Sequence, residues 1–356
     1  MYNIKENKNK NLIFYKNEET VFNNYQYVYS ISDIHGDFDK FIEILIDIGK
    51  DKKICKDDKD NIFIFYNKTI YGETFKLCKI IKNNVKNFNF AIVQLGDIIM
   101  SFYKTKYNPY NKELDLILLI LSLINSFKII NQKCKYIQIL GNHDILTIVY
   151  NKKTALYHRL CNLKLHFNNQ RRAYNAYIKL RKLLFTNGYV LCKINDTIYS
   201  HYLYSKESLD YLISKYNKFN NDQKILNILQ NYNNIIDNIN YYIKTIIFHN
   251  FNIPDKENYT KLRKYFINDQ IFYISDLEYN NNSLFEYYKK SMNCKNIIIG
   301  HRLNLCGDII ISENNNIILS DVGLSFYKRQ YLNNNNFNFI YILNNICDNK
   351  IEIIKK

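Results

Sequence analysis

The chain has 356 residues, enough to bury a large core as one big domain or two ordinary ones, and its 47% hydrophobic and 15% aromatic content excludes a disordered or fibrous protein. Two prolines, no tryptophan, 33 tyrosines and a surplus of Asn, Ile and Lys match what AT-rich codons encode, as in a parasite, an endosymbiont or a large DNA virus. The net charge of +16 therefore reads first as lysine enrichment, although it leaves a nucleic-acid or phosphorylated partner open. Eight cysteines are scattered singly with no C-x-x-C pair, which argues against a zinc ribbon or disulfide scaffold and for a reducing, cytoplasmic compartment.

In chain order, "MYNIKENKNKN" is polar and lacks the apolar core of a signal peptide, and residues 1–25 are expected to form a tail or an extra strand. The run "YVYSIS" predicts a buried strand ending at Asp33, followed by the helical pattern "FDKFIEILIDIG", with Asp37 placed to cap it. Residues 50–76 form a charged insertion with a hairpin. "FAIVQLG" is a strand ending at Asp97, and "LDLILLILSLIN" is too short to span a bilayer and is broken by Asp115, so it predicts a buried helix. "KYIQILG" leads into Asn142 and His143, again with a helical pattern beyond. "GYVLCKINDTIYS" ends at His201 and "NIIIG" ends at His301. Between these two, residues 205–290 are Tyr- and Asn-rich and are expected to form a helical cap. Residues 331–356 form a C-terminal extension on a main domain spanning 26–330.

Strand, polar residue, helix, repeated, is the pattern of an α/β fold, in which ligands sit beyond the carboxyl ends of the strands. Four of the nine glycines, Gly36, Gly96, Gly141 and Gly300, lie within one residue of those polar residues, where a tight turn or close backbone approach needs them. Asp33, His35, Asp97, Asn142, His201 and His301 form a carboxylate, amide and imidazole set suited to divalent Mn, Fe, Zn or Mg, with Mn favoured. Six such ligands are too many for one tetrahedral ion and about right for two ions sharing a carboxylate. Two metals about 3.5–4 Å apart are a standard device for hydrolysing phosphate esters.

The blocks "SDIHGDFDKF", "LGDII", "LGNHD", "SHYLY" and "IIIGHRL" resemble, in order, the five motifs of the calcineurin-like metallophosphoesterases. The first is most similar to the serine/threonine protein phosphatases and the diadenosine tetraphosphatases. The resemblance covers residues 28–325 and implies a four-layer α-β-β-α sandwich. It implies that Asp33 and His35 hold the first metal, that Asp97 bridges, that Asn142, His201 and His301 hold the second, and that His143 is the general acid. It further implies a phosphomonoesterase of protein-phosphatase type acting on a phosphorylated protein. The alternatives are a dinucleoside polyphosphate or nucleotide phosphohydrolase, and a metal-binding protein of the same fold without turnover.

The departures bear on substrate. Met100, Ser101 and Phe102 occupy the places where the family carries the Asp that orients the catalytic histidine, the Arg that grips phosphate, and a Gly. Arg302, directly after a ligand, is the candidate replacement, since guanidinium can hold phosphate by two parallel hydrogen bonds. Tyr202 and Leu203 replace small residues and are expected to narrow the site. Arg159, Arg171, Arg172 and Arg263, and likewise His158, His166 and His249, are expected to be surface or structural.

Overall fold

The structure is a computed structural model and describes residues 19–57, 59–70, 72–99, 112–130, 133–149, 170–202, 236–237, 239–240, 243–244, 282–301, 308–312, 317–321 and 340–356. It is a mixed α/β fold with two large sheets. The first has the order β13(Lys350–Lys355), β12(Ile340–Asn345), β2(Tyr27–Ile31), β5(Phe90–Gln94), β6(Lys135–Gln138). In it β2, β5 and β6 are parallel, while β12 runs antiparallel beside β2, with Leu343 opposite Tyr29. The second sheet has the order β1(Val21–Phe22), β7(Leu191–Ile194), β8(Thr197–Ser200), β9(Asn296–Ile299), β11(Ile317–Leu319), β10(Ile310–Ile311). A separate hairpin pairs β3(Phe63–Ile70) with β4(Glu73–Ile80) inside and just beyond the 50–76 stretch.

Side-chain alternation explains how the five-stranded sheet is buried. Val28, Ala91, Val93, Ile137 and Ile342 join Phe22, Cys192, Ile194, Tyr199, Ile298 and Ile318 of the other sheet in one apolar cluster. Tyr29, Ile31, Phe90, Ile92 and Tyr136 point the other way, into a core shared with helices α1(Phe38–Gly49) and α2(Glu113–Ile130). Strands buried on both faces need nearly continuous apolar runs, which "FAIV" supplies and "YVYSI" supplies but for the buried Ser30. Each such Ile or Leu contributes about 1.5–3 kcal/mol of hydrophobic stabilisation.

Asp37 is the N-cap of α1, its side chain accepting from the Lys40 N–H at 3.1 Å. The apolar run 114–125 lies in α2, and no described helix is long and apolar enough to cross a membrane. Two serines in α2 have a specific use. Ser122 Oγ accepts from the Cys78 N–H at 3.0 Å and Ser126 Oγ from the Ile80 N–H at 2.8 Å, so the helix covers backbone donors of β4 that would otherwise face an open sheet edge. Further helices among the described residues include α3(Asn142–Val149), α4(Gln170–Asn187) and α5(Asn282–Met292). Most of the expected 205–290 cap lies outside the described residues.

Candidate metal centre

The carboxyl ends of β2, β5 and β6 in one sheet and of β8 and β9 in the other meet at one place, and the residues that follow them face each other. Asp33, beyond β2, has both carboxylate oxygens 3.1 Å from the backbone N–H of His301, beyond β9. His35 N–H donates to the Asp97 carbonyl at 2.7 Å, and His143 N–H donates to Asp97 Oδ1 at 2.9 Å. His201, fully buried, donates from Nδ1 to the Leu95 carbonyl at 2.7 Å. All six expected ligands and His143 are thus in one cluster.

The side-chain spacings within the cluster are wide. His35 Nε2 lies 3.8 Å from Asp33 Oδ2 and 3.8 Å from Asp97 Oδ2. His143 Nε2 is 3.7 Å from Asp97 Oδ2, and His201 Nε2 is 3.4 Å from Asp97 Oδ1. Good hydrogen bonds are shorter. Two ligands each about 2.0–2.1 Å from one ion are about 2.9–3.5 Å apart; the His201–Asp97 spacing falls in that range and the other three are slightly wider. Two triads result, His35–Asp97–His143 and Asp97–His201–His301, each with ligand atoms within 4.8 Å of one another, and they share Asp97. Asp33 completes neither triad, though its Oδ1 lies 3.7 Å from His201 Nδ1.

A cation fits the chemistry of this donor set. Because His201 Nδ1 gives its proton to a carbonyl, Nε2 of the neutral ring carries a lone pair. That lone pair faces Asn142 Oδ1 at 3.3 Å as well as Asp97 Oδ1, so three acceptors converge. A proton or a metal ion reconciles them. Without metal the proton serves: burial disfavours the charged ring, yet the Asp97 and Asp33 carboxylates outweigh it and push the His201 pKa up to about 9. Burial likewise opposes the charge on Asp97, but His201, His143 and His35 hold its pKa well below the usual carboxylate range.

The backbone is shaped to deliver these groups. Among the described residues seven non-glycines have positive φ; four are Asn, and the other three are His35, Asp97 and His301 at +47°, +49° and +65°, all types that adopt this uncommon region more readily than most. Such backbone costs on the order of 1–3 kcal/mol per residue and concentrates at functional sites. Close approach accounts for two of the glycines. A Cβ on Gly141 would meet Asp97 Oδ1 at 2.1 Å, and one on Gly300 would meet Asp33 Oδ1 at 2.4 Å.

Sequence reasoning assigned no role to Asp144, which is fully buried and accepts from the Ile99 and Gly141 N–H groups at 3.0 and 2.8 Å. It thereby ties the loop after β5 to the turn before α3. Burial and then the Asp97 charge push its pKa up to about 7, against those two backbone donors. The signal was the last letter of "GNHD". Tyr202, buried, packs edge-on against both His201 and His301, with ring centroids 4.3 and 4.5 Å away. Arg302, Leu203, Met100, Ser101 and Phe102 lie outside the described residues, as do Arg159, Arg263, His158, His166 and His249. Arg171 is exposed on α4, whereas the side chain of Arg172 is outside the description.

No protein-family model matches the chain, and no curated protein sequence does. Solved structures do match. A point mutant of a cold-active protein tyrosine phosphatase aligns with a TM-score of 0.57 at 15% identity, over 96% of this chain and 81% of that one. Another structure of a cold-active protein tyrosine phosphatase gives 0.52 at 15% identity, over 95% and 81%. The enzyme from the psychrophile Shewanella sp. gives 0.53 at 16% identity, over 95% and 83%. At this identity the likeness is one of fold.

Proposed function

We propose that the chain is a two-metal phosphomonoesterase of the calcineurin-like type, acting on a phosphorylated protein. The observation that carries this reading is the convergence of four histidines on the one carboxylate Asp97, with Asp33 beside His201. The fold likeness to proteins described as phosphatases supports phosphate-ester hydrolysis, and their description as protein tyrosine phosphatases favours a protein substrate over a nucleotide. Apolar clusters on both faces of the five-stranded sheet support a stacked arrangement, which we take as part of a four-layer α-β-β-α sandwich.

In this reading Asp33 and His35 hold the first ion, Asn142, His201 and His301 hold the second, and Asp97 bridges. When bound, two divalent ions, Mn in preference to Fe, Zn or Mg, neutralise phosphoryl oxygens and lower the pKa of a water nucleophile. His143 protonates the leaving oxygen. It is suited to this because its side chain is 18% exposed, against 2% for Asp97, and can reach a substrate entering from solvent. Its backbone N–H bond to Asp97 Oδ1 fixes where the ring starts. Arg302 supplies the phosphate contact that the second motif lacks.

The test is hydrolysis of para-nitrophenyl phosphate and bis-para-nitrophenyl phosphate with Mn added. Turnover of the monoester alone is expected. Turnover of the diester would contradict the monoesterase reading, and turnover of neither would favour a metal-binding protein of the same fold, which the altered "GDIIMSF" motif also favours.

A further inference from the structure

Two glutamines occupy positions where a doubly buried strand ordinarily carries apolar side chains. Gln94 ends β5, Gln138 ends β6, the two are opposite each other in the sheet, and both are fully buried. A buried amide without partners would cost roughly 1–3 kcal/mol. Here both amides are engaged throughout. Tyr136 Oη donates to Gln138 Oε1 at 3.1 Å, and Gln138 Nε2 donates to the Ile139 carbonyl at 2.7 Å and to Gln94 Oε1. Gln94 Oε1 also accepts from the Gly96 N–H at 2.9 Å, and Gln94 Nε2 donates to the carbonyls of Gly96 at 2.7 Å and Ser32 at 3.1 Å.

The backbone atoms bound are those leading into the site. Ser32 precedes Asp33, Gly96 precedes Asp97, and Ile139 opens the turn to Asn142 and His143. A single connected pair of amides therefore spans the ends of three adjacent strands, each carrying a candidate ligand. We propose that Gln94 and Gln138 are positioning residues that set the separation of Asp33 from Asp97, and through it the affinity of the site for divalent cations. This inference rests on the two-metal reading above.

Titrating Mn²⁺ calorimetrically into metal-free wild type, Gln94→Leu, Gln94→Glu and Asn344→Leu tests it, with Tm measured for each. Asn344 is the control: it too is a buried amide, donating to Thr197 Oγ1 and Tyr199 Oη at 3.1 Å each, but it lies opposite Val28, at the far end of β2 from the site. All three variants are expected to lose Tm. Only the Gln94 variants are expected to bind Mn²⁺ more weakly, by about 10–100-fold, as when groups that orient metal ligands are removed. Gln94→Glu keeps the size and the acceptor for Gly96 N–H but cannot donate to the two carbonyls, so it should fall with Gln94→Leu. Should neither fold, Gln138→Met, which removes the bond to Gln94, is read in the same way. Wild-type affinity in the Gln94 variants, or an equal loss in Asn344→Leu, would overturn the positioning role. Absence of Mn²⁺ binding by wild type would overturn the metal reading itself.

Discussion

The N–H of His301 bonds both carboxylate oxygens of Asp33 at 3.1 Å across 268 residues of chain, so one side chain ties the end of β9 in one sheet to the end of β2 in the other. An amide would keep one of these contacts and lose the charge. Asp33→Asn is therefore expected to fold, with Tm lowered by about 1–2 °C, the effect of about 1 kcal/mol in a domain of this size. Its affinity for the first Mn²⁺ should fall at least about tenfold. Wild-type affinity in a Mn²⁺ titration would remove Asp33 from the ligand set.

His143 sits in a triad with His35 and Asp97, and geometry alone allows it to be a ligand or an acid. As the acid, His143→Ala should keep its metal content and lose about 10²–10⁴ in kcat. The loss should be smaller with para-nitrophenol as leaving group, which hardly needs a proton. Loss of metal from this variant, or equal loss of rate for good and poor leaving groups, would make His143 a ligand.

The part of this site that was legible in the sequence is the part carried by local pattern. Apolar runs ending in Asp33, Asp97, Asn142, His201 and His301 marked both the strands and the residues that converge beyond their ends, and Asp37 marked the cap. What escaped depends on long-range contacts. Nothing local says that "IYILNN", more than 300 residues on, pairs with β2, or that Ser122 and Ser126 of α2 cover the donors of β4. The left-handed backbone at His35, Asp97 and His301 is uncommon for a non-glycine residue, though Asp and His adopt it more readily than most, and no local pattern marks it. Gln94 and Gln138 were visible as polar letters in apolar runs, but their meaning needed Ser32 and Gly96 beside them.

Gly141 offers a test of how tightly the turn before α3 packs on the bridging carboxylate. A methyl group there would sit 2.1 Å from Asp97 Oδ1 and 2.3 Å from its backbone nitrogen, so Asp97 must move. Gly141→Ala should weaken binding of both ions together, since both triads share that residue. Weakening of one ion alone, seen as two separated steps in the titration, would contradict the bridging role.

Alkaline pH should unfold the protein through its tyrosines. Burial raises the phenol pKa values of Tyr29, Tyr136, Tyr199 and Tyr341 above the usual 10, with Asp51 and Asp47 adding to the effect at Tyr29 and Tyr341. The unfolded phenols ionise near pH 10 while the folded ones resist, so the folded state holds more protons. Stability is fully present below pH 10 and falls above it by about 1.4 kcal/mol per pH unit for each such tyrosine. Circular dichroism and phenolate absorbance should change together above pH 10; phenolate formation at all four positions with the fold intact would contradict their burial.

The most direct measurement of the central claim is the metal content of Mn-reconstituted protein by elemental analysis, for wild type and Asp97→Asn side by side. Two ions per chain are expected for wild type and fewer than one for Asp97→Asn, with hydrolysis lost in the variant. A trace of metal in wild type, or two ions retained by Asp97→Asn, would contradict a centre of two ions bridged by Asp97.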